Sequence, residues 1–234
     1  MDNIANPGKN LILKINSENW ARIPIKTHFI TIDDNLDDII KNYVLPQAQN
    51  SDIIAMGQKI VSILQKRVVY EKDIRVGFWA KFLSKFAVKT PYGFSVGNPK
   101  KMQIAINSAG LVRILLAGFC NIFFKLFGVS GTFYRIAGNQ ISQIDGFYGE
   151  AFPQYLKMGI LGPKDGNALC QALKKKYQFS FLIADVNDLG GNILGKSQDL
   201  EGKESMILEI LKDNPAGQGK EQTPLIILRR ENYQ

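Results

Sequence analysis

The last third of the chain alternates short apolar runs with amphipathic stretches, and this alternation constrains the fold more than any other feature. MGIL, FSFLIAD and TPLIILRR have the length and branching of buried strands. Between them, a stretch capped by Asp165 and running to Tyr177, and DLEGKESMILEILKDNP, closed before Pro215, have helical spacing. Strand, helix, strand, helix, strand is the order of a layered unit with helices on a sheet. The expected class is α+β or mixed α/β, a layered sheet with helices.

Upstream the pattern is less regular. Asp33-Asp34-Asn35 predicts the start of a helix toward Tyr43, its acids placed over exposed first-turn amides. DIIAM reads as a short buried strand, followed after Gly57 by a helix in QKIVSILQKR. Pro99 and Gly110 bracket a further helix, as N-terminal Pro and C-terminal Gly do. TFYRIA and QISQI read as two strands joined in a hairpin at Gly138-Asn139, and His28 falls on an expected strand after Lys26. No Pro-, Gly- or Ser-rich linker divides the chain. A single domain is expected, with two interleaved halves over roughly residues 20–130 and 131–230.

The most apolar segment is Leu111 to Phe127, whose longest uncharged run, Ile114–Phe124, has 11 residues where a bilayer needs about 20. A core helix or subunit interface is expected there. Before it, GFWAKFLSKFAVK sets Phe78, Trp79, Phe82 and Phe86 at helical spacing, with Lys81, Lys85 and Lys89 on another face. An aromatic stripe of this kind is expected in a core rather than in lipid.

Composition narrows the chemistry. A hydrophobic fraction of 45% excludes a disordered chain. Two cysteines, Cys120 and Cys170, exclude a disulfide scaffold or Cys-rich zinc module, and a single histidine, His28, argues against His-ligated metals and Ser–His triads. The net charge is +8, its cations spread along the chain apart from Lys174–Lys176, and no nucleic-acid motif accompanies it. No signal-peptide pattern stands at the N-terminus, so a cytoplasmic protein is expected.

Three places can carry chemistry. FSFLIADVNDLGG delivers Asp185 at the end of a strand, with Asn187, Asp188, Gly190 and Gly191 after it. Ligands of α/β proteins gather at such ends, and carboxylates there suit Mg²⁺ or Mn²⁺. Asp145 stands at a second strand end, before Gly146. The turn DNPAGQGKEQTP places Gln218 and Glu221 around Gly217 and Gly219, where backbone can approach an anion. Each has an ordinary structural reading beside the functional one: a loop-capping Asp, or a plain helix-to-strand connection. Neither a Walker motif nor a dinucleotide glycine fingerprint occurs.

The order of these pieces resembles the coenzyme F420-0:L-glutamate ligase (γ-glutamyl ligase) family, from about Pro24 to Arg229. The resemblance is carried by IPIKTHFIT, DIIAMGQKIVSILQKRVV, IDG, GILGPKD with its helix, IADVNDLGG and GQGKEQTPLIILR. It implies an intertwined homodimer with Leu111–Phe127 in the interface, and GTP (or ATP) as co-substrate with Mg²⁺ or Mn²⁺. It further implies a small carboxylate acceptor joined to L-glutamate, as in coenzyme F420 biosynthesis. Carried over residue by residue, it assigns metal binding to Asp145, Asp185 and Gln218, with Asp188 able to supply a lost oxygen. It assigns nucleotide contact to Arg22, Lys26, Gln58 and Lys59. Neither a specific nucleic acid nor a membrane is an expected partner.

The chain also departs from the family pattern. Ile63 follows Ser62 where the family carries Lys, and Gly146-Phe147 follows the first acid where Ser-Asn is usual. Asp185-Val186-Asn187-Asp188 replaces the Asp-Ser/Thr-Phe-Gly-Arg strand end. The alternative expectation is a non-catalytic homologue or a binding module for nucleotide, nucleic acid or another anionic ligand.

Overall fold

The computed structural model describes residues 4–87, 96–129, 131–147, 152–187, 190–217 and 219–231. The chain divides into two compact units: one made of two segments, 1–66 and 163–234, the other continuous over 67–162. The two-segment unit opens with strands β1 (Ile12–Ile15) and β2 (Glu18–Ile25), helix α1 (Leu36–Ile39), strand β3 (Ile53–Gly57) and helix α2 (Gln58–Leu64). The continuous unit holds β4 (Val68–Tyr70), α3 (Phe78–Ser84), α4 (Pro99–Ala109), α5 (Leu111–Lys125), α6 (Thr132–Ala137), α7 (Asn139–Ser142), β5 (Asp145–Gly146) and β6 (Met158–Ile160). The chain then returns to the first unit with α8 (Gly166–Tyr177), β7 (Ser180–Asn187), β8 (Gly190–Lys196), α9 (Glu204–Leu211) and β9 (Leu225–Glu231).

The two-segment unit is a six-stranded mixed sheet in the order β1-β2-β9-β3-β7-β8, parallel only between β3 and β7. Its central strands read as unbroken apolar runs because both faces are covered. On one face Ala21, Ile23, Ile25, Ile54, Met56, Phe181, Ile183 and Ile227 pack with Val61 of α2, Ile39 of α1, and Cys170 and Leu173 of α8. The residues between them, Trp20, Ile53, Ala55, Leu182, Ala184, Ile226 and Leu228, pack with Ile207, Ile210 and Leu211 of α9. The two-residue strand period thus builds two cores from one set of strands. α1 is capped by Asn35, whose side chain accepts from the Asp37 amide at 2.8 Å, and continues as a π turn through Val44. Asp165 occupies the cap position of α8 in a left-handed conformation but makes no side-chain cap bond.

The α8 N-terminus lies against β8 at a pair of glycines. A Cβ on Gly195 would stand 2.4 Å from the Gly166 carbonyl carbon, and one on Gly166 would stand 2.6 Å from the Leu194 oxygen. Only glycine lets the two backbones approach so closely.

The continuous unit has a three-stranded sheet, β4-β6-β5, and a helical core around Met102, Ile104, Ala105, Ile114, Ala117, Ala137 and Ile141. Here the structure corrects the expected hairpin: TFYRIA and QISQI are occupied by helices α6 and α7. Gly131 (φ 77°) and Gly138 (φ 109°) bracket α6, and packing against α5 overrides the strand preference of its aromatic and branched residues. The expected core placement of the two apolar segments is corrected as well, while the subunit interface also expected for Leu111–Phe127 is a matter for a second copy. On α5 only Ile114 and Ala117 are buried, and on α3 only Ala80 and Ser84, so the aromatics point outward.

Candidate functional site

The register of the large sheet aligns one end of four strands. Ile25, Leu225, Met56 and Ile183 form a row across β2, β9, β3 and β7. One step further are Lys26, Pro224, Gly57 and Ala184, tied by a bond from the Gly57 amide to the Pro224 oxygen at 2.8 Å. Beyond these pairs, Thr27 follows β2, Gln58 opens α2 and Asp185 is the next residue of β7. Thr27 donates its amide to the Gln222 oxygen at 2.9 Å, which draws the last turn onto the end of β2. Strands lie about 4.8 Å apart, so these residues share one edge of about three strand spacings. The edge is the carboxyl end of β2 and β3, and nearly that of β7, where ligands of open α/β sheets collect.

Lys26 is exposed on this edge, Lys59 is half-buried on the first turn of α2, and Gln58 is buried. Asp185 is exposed and does not end the strand: β7 continues to Asn187 and turns back as β8, pairing Asp185 with Asn192. The glycine-rich stretch read as a loop is therefore the second strand of a hairpin. In a pleated ladder, directly opposed residues and residues two apart share a face. Asp185, Asn187 and Asn192 accordingly stand on one face of the hairpin, the face that carries Phe181 and Ile183. Their oxygens are hard donors of the kind Mg²⁺ and Mn²⁺ take. Asn192 was not legible beforehand, because its place depends on the β7–β8 pairing.

The turn before β9 has a defined shape as well. A Cβ on Gly217 (φ 75°) would stand 2.8 Å from the Glu221 carboxyl carbon, and one on Gly219 would stand 2.9 Å from Glu221 Oε1. The Glu221 carboxylate folds back over these two glycines, and any side chain at either position would displace it.

Arg22 and Asp145 are not part of this edge. Arg22 is fully buried in β2; its Nη1 donates to the Ile210 oxygen at 3.1 Å and its Nη2 to Asp213 Oδ2 at 3.1 Å, and both Nε and Nη2 reach the Asn10 oxygen. Its fork ties β2 to the end of α9. Asp145 belongs to the continuous unit, where Asp145 and Gly146 pair with Ile160 and Gly159 of β6. Gly146 has φ 91°, and a Cβ there would stand 2.1 Å from the Met158 oxygen. Burial first, and the Asp145 charge second, push the neighbouring Tyr155 hydroxyl up to about 12. Asp188 and Gln218 lie outside the described residues, as does Lys89. Among the described residues no group of three or more His, Cys, Asp or Glu converges.

His28 follows β2 in irregular backbone rather than on a strand. Its Nδ1 is 2.7 Å from the Tyr43 hydroxyl and its Nε2 is 2.8 Å from Asp34 Oδ1, so both ring nitrogens are occupied. Burial alone would raise the pKa of Asp34, but bonds from the Thr31 amide, His28 and the Thr31 hydroxyl outweigh it and hold the carboxyl below its usual range.

Neither a family model nor a curated protein matches the chain.

Proposed function

We propose that the chain is an acid–amino-acid ligase of the coenzyme F420-0:L-glutamate ligase type. On this reading it uses GTP or ATP with Mg²⁺ or Mn²⁺ to join a small carboxylate to L-glutamate or a related amine. The observation that carries the reading is the shared edge of β2, β3 and β7. Lys26 follows β2 and Lys59 follows β3 at that edge, and Asp185, Asn187 and Asn192 stand on one face of the β7–β8 hairpin beside them.

In this proposal Lys26 and Lys59 attract and orient the phosphates, and Asp185, Asn187 and Asn192 hold the cation. A bound divalent cation supplies charge neutralisation at the phosphoryl oxygens. The terminal phosphoryl group passes to an oxygen of the acceptor carboxylate, and the nucleoside diphosphate leaves. The amine nitrogen then attacks the acyl carbon, the C–N bond forms, inorganic phosphate departs, and the amine releases a proton to solvent. The protein contributes mainly alignment and electrostatic stabilisation.

Isothermal titration of GTP or ATP in the presence of Mn²⁺ tests the proposal. Saturable binding that is lost in Asp185→Ala, with an unchanged melting curve, is the expected result. No nucleotide binding, or binding indifferent to that substitution, overturns it.

A further inference from the structure

The net charge of the chain is not spread evenly between its units. The continuous unit, residues 67–162, has twelve Lys and Arg against four Asp and Glu, whereas the two-segment unit has seventeen of each. The whole +8 therefore sits in one unit. From Ile74 to Ile144 there is no Asp or Glu at all, and nine Lys and Arg. The same stretch carries α3 and α5, whose aromatics are exposed.

On α5, Val112, Leu116, Phe119, Phe123 and Leu126 recur every three or four residues, within an arc of about 80°. They are 50–80% exposed. On α3, Phe78 (70%), Trp79, Phe82 and Phe86 (65%) are exposed, and helical geometry sets Lys81 and Lys85 along one border of their stripe. Beside that border, a groove of about 790 Å³ between α3 and the start of α4 is lined by Lys81, Lys85 and Lys100 together with Ser84 and Asn98. Single exposed apolar residues need no account, but two helices presenting aromatic faces do. The expectation of no membrane partner rests on burying these aromatics, and they are not buried.

We propose that the 67–162 unit docks on an anionic phospholipid surface, with the exposed faces of α3 and α5 as apolar anchors and Lys81 and Lys85 meeting the headgroups; Lys100 is already paired with Glu71 at 2.5 Å. Charge decides between this and the competing occupants. A second copy would bring another +8 unit against a cation-bordered face, and the repulsion opposes association. A nucleic acid would satisfy the cations but leave a stripe of Val, Leu and Phe in water. An anionic bilayer interface satisfies both, with apolar side chains below the headgroup level and lysines at it. Among the described residues no single helix is long and apolar enough to cross a membrane; α4 and α5 reach that length and apolarity only as a pair bent by 114°.

The full chain is co-sedimented, without nucleotide, with vesicles of phosphatidylcholine alone and of phosphatidylcholine mixed with phosphatidylglycerol. Binding to the anionic vesicles, weakened by salt, is expected, with a blue shift of Trp79 emission; the second tryptophan, Trp20, is buried and acts as a constant background. Lys81→Gln with Lys85→Gln lowers affinity for anionic vesicles roughly fivefold per lysine. Phe119→Ser with Phe123→Ser removes binding by more than about tenfold while leaving the far-ultraviolet spectrum and melting curve in place, since both rings are exposed. Failure to bind anionic vesicles, or equal binding to neutral ones, overturns the proposal. So does a dimer in sedimentation velocity that the Phe119/Phe123 pair dissociates, or a random oligonucleotide that outcompetes the vesicles. The assay contains no nucleotide and the titration of Asp185 contains no lipid, so each proposal fails separately.

Discussion

Arg22 holds Asp213 across the sheet-to-α9 boundary, with a guanidinium that has no solvent exposure and a carboxylate that remains partly open to water. The same fork carries the Asn10 and Ile210 carbonyls, so one side chain of β2 ties the segment before β1 to the end of α9. Arg22→Ala leaves the buried Ile210 carbonyl without its donor and a void where the side chain was, and is expected to cost about 2–3 kcal/mol. Arg22→Lys keeps the charge but not the fork, and should recover only part of that. Urea unfolding of the two variants checks both statements.

Asp199 gives the protein an acid limb. Burial alone would raise its pKa, but bonds from Ser180, Lys174 and Ser197 outweigh it and bring the carboxyl down to about 2, from an ordinary 3.8. Between those values the unfolded chain binds more protons than the folded one, so stability rises with pH across that window. The contribution is complete above pH 3.8 and is lost as pH falls toward 2. Urea midpoints measured over this range should drop for the native chain and drop less for Asp199→Asn.

Gly195→Ala forces a methyl group to within 2.4 Å of the Gly166 backbone, a contact that no rotamer can relieve. Either α8 or β8 must move, at a cost of about 1–3 kcal/mol. A lowered melting temperature for Gly195→Ala, beside an unchanged or slightly raised one for an alanine at Gly118 (inside α5, with open space around it), is the expected pattern.

The two thiols should react differently. Burial pushes Cys170 up to about 12, so it stays protonated at the pH of ordinary thiol reagents. Cys120 is half-buried on α5. Titration with a chromophoric disulfide should count one thiol in the native protein and two after denaturation.

Within the proposed ligase site, Asn192 faces Asp185 across the hairpin. Asn192→Ala removes one neutral oxygen and should weaken Mn²⁺-dependent nucleotide binding by about tenfold, less than Asp185→Ala does. Titration calorimetry of the two variants side by side gives the ranking.

Most elements were legible before the structure. β3 and β9 announce themselves as unbroken branched runs, and α4 starts at Pro99 and stops at Gly110, where backbone chemistry alone dictates the ends. β8 was not legible: GGNILG is poor strand sequence on its own and becomes a strand because β7 offers it a ladder. The helices at 132–142 were misread for the converse reason, since residues suited to strands were captured by packing on α5. Of the candidate site, Asp185 was read from its position after an apolar run, whereas Asn192 beside it depended on pairing. Arg22 is ordinary in sequence, and only its burial against Asp213 and two carbonyls gives it its place.

By itself the amino-acid sequence determined where apolar and polar residues recur, and so the layered α and β class with its helix ends, because period and capping are local. The tertiary structure decided which apolar residues are covered. Ile54 and Phe119 are equally hydrophobic in a string of letters, yet one lies between strands and helices and the other faces outward from α5. That difference arises from long-range packing, which supplies a partner surface to one helix face and none to the other.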